Sequence, residues 1–81
     1  MKNYTELTIY TDGGSRGNPG PAAYGFIITD ESQKVIYEEG KTIGVDTNNV
    51  AEYSAIVESL RWIEQNAKAT KITYFMDSLL A

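Results

Sequence analysis

A chain of 81 residues holds one small domain, and its net charge of −4 disfavours unaided gripping of phosphate, which rests on Lys and Arg. Any nucleic-acid role must draw positive charge from elsewhere, and metal ions are the obvious source. Without Cys or His, the chain has no disulfide framework, no thiolate zinc site, no imidazole base and no His-containing catalytic triad.

Residues 1–6 lack the apolar core of a signal peptide, and no apolar run reaches membrane-spanning length. A soluble, cytoplasmic protein without membrane contact is the expectation. Residues 7–12, Leu-Thr-Ile-Tyr-Thr-Asp, alternate and predict a strand. Asp12 then stands at the strand end, beside a loop carrying Gly13, Gly14, Gly17 and Gly20, with Asn18 and a proline on each side of Gly20. Such a run reads either as a loose hairpin turn or as backbone that lets a ligand come close to an acid.

Residues 22–29 predict a second strand, with Tyr24, Phe26 and Ile28 on one face. Ala23, Gly25 and Ile27 lie on the other, and the two small residues would let another backbone or helix pack against it. A polar turn at 30–34 leads to a third strand at 35–43, which completes an antiparallel meander. Residues 44–47 break the pattern, and Thr47 suits an N-cap. From Asn48 to about Asn66 the period is helical, with Ile56, Leu60, Ile63 and Ala67 as its apolar stripe. Residues 71–76 form a near-continuous apolar run, which predicts a strand buried on both faces. The fold class is therefore α/β in the order β-β-β-α-β, a single domain over residues 1–81. The crossover should be right-handed and bring the last strand beside, and parallel to, the first.

Ser78 would cap a new helix and Leu79-Leu80 would open its apolar face. Two leucines there predict an interrupted fold: a natural truncation, a shortened piece, or a chain completed by a partner.

Three acids stand at telling places. Glu52 falls on the side of Ile56, Leu60 and Ile63 at about 100° per residue, so it is expected to point towards the sheet. An ionised acid there is costly unless it is paired or binds metal, although an acid near a helix start also gains from the macrodipole. Asp77 ends the last strand as Asp12 ends the first; a turn or N-cap role is its alternative. If the two strands are neighbours, Asp12, Glu52 and Asp77 converge at the carboxyl ends of the strands. Oxygen donors without His or Cys suit Mg²⁺, or Mn²⁺, rather than zinc. Two such ions about 4 Å apart can activate a water and stabilise a leaving oxygen in phosphodiester cleavage.

Other signals are weaker. Gly14-Ser15-Arg16-Gly17 matches the GXXG loop of a KH domain, but that loop joins helices and this one follows a strand. Thr47, Asn48 and Asn49 read either as capping or as amides that meet sugar hydroxyls and phosphates. Trp62 and the 6 tyrosines read as core or as base-stacking platforms. Arg16 is a solvated side chain or a ligand contact.

The Tyr-Thr-Asp-Gly-Gly-Ser-Arg-Gly-Asn-Pro-Gly-Pro run at 10–21, the Thr-Asn-Asn-Val-Ala-Glu helix start at 47–52 and the Asp-Ser pair at 77–78 together resemble the type 1 ribonuclease H family in order and spacing. The resemblance covers the whole chain but only the N-terminal part of the family's domain. It implies hydrolysis of the RNA strand of an RNA–DNA hybrid, leaving a 3′-hydroxyl and a 5′-phosphate. Asp12, Glu52 and Asp77 match catalytic, metal-binding acids, with Asp12 bridging two ions. Gly13, Gly14, Ser15, Arg16, Asn48 and Asn49 match the substrate-binding surface; Gly13, Ser15 and Asn48 would lie against RNA 2′-hydroxyls. Asn18 and Thr47 match a pocket for a DNA-strand phosphate.

The family's fourth acid, last strand, later helices and a histidine that assists product release have no counterpart within residues 1–81. Leu79 stands where some relatives carry a polar residue. Weak or incomplete activity of this chain alone is thus implied. The alternative is a non-catalytic ribonuclease H-like module that forms a homodimer, or takes up a complementing C-terminal segment, through an uncovered sheet.

Overall fold

The computed structural model describes residues 2–15, 17 and 20–76, with Met76 by its backbone. The elements run β1 (Lys2–Ser15), β2 (Gly20–Thr29), β3 (Val35–Asp46), α1 (Asn48–Asn66) and β4 (Ala67–Met76). The sheet order is β3-β2-β1-β4, with β1 antiparallel to β2 and parallel to β4. The expected β-β-β-α-β order holds, and the last strand lies beside the first. The extents of 39 × 24 × 15 Å fit one sheet covered by one helix, because a further layer would add about 10 Å to the thinnest dimension.

The sequence patterning gives the core directly. Leu7 and Ile9 on β1 and Tyr24, Phe26 and Ile28 on β2 face the helix and are buried. Ala55 and Ile63 of α1 and Ala67 close the cluster, with Trp62, Tyr37 and Tyr74 packed at its margin. The β2–β3 turn is set by Asp30, whose Oδ1 accepts from Ser32 N–H at 2.9 Å and Lys34 N–H at 3.0 Å. Gln33 there takes φ of 63°. Between α1 and β4 there is no loop. Ala67 is at once the helix C-cap, its N–H bonded to Ile63 O, and the first residue of the strand.

Four expectations need correction. First, β1 does not end at Asp12. Gly13, Gly14 and Ser15 continue the ladder, opposite Tyr24, Ala23 and Ala22. β3 likewise runs past Ile43 to Asp46, with a register shift opposite Ala22/Ala23 and Gly44 at φ +80° accommodating the irregularity.

Second, the helix face is Ala51, Ala55, Ser59 and Ile63 rather than the Ile56–Leu60 stripe; Leu60 is 44% exposed. Small residues let the helix axis approach the sheet, and the larger aliphatics flank that line. Glu52 accordingly does not point into the core and is exposed.

Third, β4 is not buried on both faces: Ile72 is 44% and Phe75 54% exposed. It lies at the end of the sheet, and α1 sits chiefly over β1 and β2. Fourth, no described element covers the face bearing Ala23, Gly25 and Ile27. On that face Tyr10 stacks on Phe75 with ring centroids 5.4 Å apart.

α1 is not long and apolar enough to cross a membrane, nor is any other helix among the described residues. Residues 77–81, with the expected helix start at Ser78 and Leu79-Leu80, lie outside the described residues.

Candidate active site

The site is built where the carboxyl end of β1 meets the first turn of α1. Thr47 caps the helix by accepting from Val50 N–H at 3.2 Å, and its own N–H donates to Asp46 Oδ1 at 2.9 Å. Asn48, the first helical residue, reaches across to β1. Its Oδ1 accepts from Ser15 N–H at 2.6 Å and lies 3.0 Å from Ser15 Oγ. The Ser15 hydroxyl is also within reach of Gly17 O.

Gly13 sets the spacing. A Cβ at that position would lie 2.7 Å from the carbonyl carbon and oxygen of Ala51 and 2.8 Å from Glu52 N. The helix backbone therefore rests directly on the strand, which only glycine permits. Residues adjacent in sequence to this contact, Asp12 on one side and Glu52 on the other, open onto the same cleft.

That cleft, of about 1050 Å³, is lined by Asp12, Gly13, Gly14, Ser15, Asn48, Asn49 and Glu52, all of them anticipated from the sequence. Both acids are exposed, and among the described residues neither has an ion-pair or hydrogen-bond partner. Thr47 serves as the cap and does not line the cleft. Asp77, Arg16 and Asn18 lie outside the described residues. Among those described, no three acids, histidines or cysteines gather into a metal-holding group.

The opposite wall was not anticipated. Pro21, Ala22, Ala23, Thr42, Gly44 and Val45 extend the cleft along the end of the β2–β3 hairpin. Only the strand register brings Ala22 beside Gly44 and Ala23 beside Thr42, so their residue types carried no signal. Trp62 proves to pack against the margin of the core, stacked on Tyr37 at 4.5 Å between centroids.

The donor chemistry of the described wall is carboxylate and amide oxygen, which suits a hard divalent cation and not zinc.

The model of the RNase H family matches residues 4–80. The chain belongs to the RNase H family. It is 51% identical to ribonuclease HI of Halobacterium salinarum over 51 residues, which are 63% of this chain and 26% of that protein. Among solved structures, LC11-RNase H1, isolated from compost by a metagenomic approach, superposes with a TM-score of 0.81 at 41% identity, over 94% of this chain and 56% of that one. LC11-RNase H1 in complex with an RNA/DNA hybrid matches with a TM-score of 0.77 at 44% identity, over 91% of this chain and 56% of that one. The β-β-β-α-β arrangement is that of these RNase H neighbours. The chain spans little more than half the length of the solved relatives and about a quarter of the Halobacterium protein.

Proposed function

We propose that this chain carries the catalytic face of a metal-dependent endonuclease that hydrolyses the RNA strand of RNA–DNA hybrids. The observation that carries the reading is the seating of Ala51 on Gly13, because it turns two acids 40 positions apart, Asp12 and Glu52, onto one cleft. Family membership and a relative solved in complex with an RNA/DNA hybrid support it.

In this reading Asp12, Glu52 and Asp77 hold divalent ions, Mg²⁺ or Mn²⁺. When bound, such ions supply the charge that activates water and stabilises the leaving oxygen in phosphodiester cleavage. The chain's own residues position the substrate. The main chain at Gly13 and Ser15 and the amides of Asn48 and Asn49 line the groove for RNA, whose 2′-hydroxyl is what distinguishes it from DNA. Gly14 leaves that wall low, and Arg16, Asn18 and Thr47 are assigned to the phosphate track. The acidic net charge fits this division, since the cleft itself contributes no described cation.

The test is cleavage of a labelled RNA–DNA hybrid with Mg²⁺ or Mn²⁺, with double-stranded DNA as the control substrate. Asp12→Asn should lower the rate by on the order of 10³-fold, several kcal/mol of lost transition-state stabilisation. Equal cleavage by both proteins would refute the assignment.

A second reading is favoured by the open sheet face. Tyr10, Ile27 and Phe75, 45%, 38% and 54% exposed, form an aromatic and aliphatic patch opposite α1. In that reading the chain is a non-catalytic module that self-associates or receives a complementing segment there. Sedimentation at increasing concentration distinguishes it: a monomer throughout removes self-association.

A further inference from the structure

We infer that Asn48 is a positioning residue: through its side-chain oxygen it fastens the start of α1 to the end of β1 and thereby sets Glu52 against Asp12. The inference deepens the proposed reading of those two acids as metal ligands and rests on it for its functional consequence.

Glu52 stands one turn along the helix from Asn48, and Asp12 stands three residues before Ser15. One oxygen, Asn48 Oδ1, accepts from Ser15 N–H and is within hydrogen-bonding distance of Ser15 Oγ, bonds that span 33 residues of sequence. At the same corner Ala51 seats on Gly13, a contact that limits approach but has no direction of its own. A steric stop and a directional bond together fix a rigid element, whereas the stop alone lets the first turn lift or roll. The same bond directs the Asn48 oxygen to Ser15 of β1, which lines the cleft with it. The acceptor of this amide is thus committed to the fold, although the residue lines the site. A Cβ at position 14 would make only ordinary contact with that oxygen, at 3.6 Å, so the tie does not depend on glycine there. Groups that orient metal ligands without touching metal commonly govern affinity by tenfold or more.

The test uses the whole chain with three variants. Asn48→Ala removes the acceptor. Asn48→Asp keeps it and suits the first turn of a helix. Ser15→Ala keeps the N–H bond and deletes the hydroxyl one. Amide hydrogen exchange reads the clamp without metal. Exchange at Ser15 should quicken by about tenfold in Asn48→Ala, the worth of one such bond, and should stay slow in Asn48→Asp. Unchanged Ser15 protection in Asn48→Ala, or quickened exchange in Asn48→Asp, overturns the inference. Mn²⁺ affinity reads the consequence: about tenfold weaker binding is expected in Asn48→Ala, and a smaller loss in Ser15→Ala. If exchange responds as expected and Mn²⁺ affinity does not, the clamp stands as a structural tie and its role in setting Glu52 is refuted. If the unaltered chain binds no Mn²⁺, the metal reading of Asp12 and Glu52 falls, and with it the proposed consequence.

Discussion

The two ends of α1 are attached to the sheet by different physics. At the N-terminal end the contact is backbone on backbone, Ala51 against Gly13, with a directional tie from Asn48 to Ser15. Towards the C-terminal end it is a stack of rings, Trp62 on Tyr37 at 4.5 Å, from which a row of rings runs back along the sheet: Tyr37 tilted on Phe26 at 5.8 Å, and Phe26 beside Tyr24 at 6.5 Å, Tyr24 standing opposite Gly13. Apolar packing of this kind supplies stability and can repack after a small change. A backbone contact has no side chain to repack, so it fixes position. The candidate site stands at the end where position matters, and the Trp62–Tyr37 stack stands towards the other.

The comparison breaks most readily at the aromatic end. Trp62→Ala removes a half-buried ring and should cost about 2–3 kcal/mol, somewhat under the range for fully buried aromatics. Urea denaturation would measure it, and Mn²⁺ affinity in the folded variant should be unchanged. A folded variant that lost Mn²⁺ binding would show that the two ends are coupled.

Gly13→Ala acts at the other end with a smaller effect on stability and a larger one on the site. The added methyl would meet backbone at 2.7 Å, so the helix start must move. The cost should be about 2 kcal/mol, of the order seen for overpacking. Here Mn²⁺ affinity should fall with stability, because the displaced turn carries Glu52. A loss of stability with unaltered Mn²⁺ affinity would mean that Glu52 reaches the cleft whatever the seat of the helix.

These two substitutions also mark what the sequence did and did not disclose. Element order and the bounds of α1 were legible, because Thr47 is a good cap and the apolar period starts immediately after it. The direction of the helix face was not. Ala51, Ala55 and Ser59 are too small to stand out in a hydrophobic pattern, yet smallness is the property that brings the helix onto the strand. Nor could Gly13 be told from Gly14, since only the folded chain shows which of them has a carbonyl above it. That Asp12 and Glu52 open onto one cleft was expected, but from a Glu52 turned towards the sheet, whereas it stands exposed beside the seat of Ala51. That Asn48 serves β1 could not be read, because a helix-start asparagine has many uses. The full length of β4 was hidden for a related reason: Ala67 and Ala69 pack inward while Lys68 and Thr70 face solvent, an alternation too small in contrast to read as a strand.

The smallest effect tests whether the row of rings owes anything to charge. Tyr24 OH donates to Glu39 Oε2 at 2.9 Å, and Tyr37 OH donates to Oε1 of the same carboxylate at 2.8 Å. Burial, reinforced by the bond to Glu39, pushes the Tyr24 phenol up to about 12 from 10.0. Tyr37 is raised too, chiefly by its bond to Glu39. A phenol whose folded value is raised favours the native state in its neutral form. Its contribution is therefore complete below about pH 10 and is lost as pH climbs from 10 to 12. Tyr24→Phe should cost about 1 kcal/mol at neutral pH, the net worth of one such hydrogen bond, and should flatten the alkaline limb of stability against pH between those values. Thermal melts across that range would record it. An alkaline limb identical in both proteins would assign the hold of this row to packing of the rings alone, and would make its contrast with the hydrogen-bonded tie of Asn48 to Ser15 sharper still.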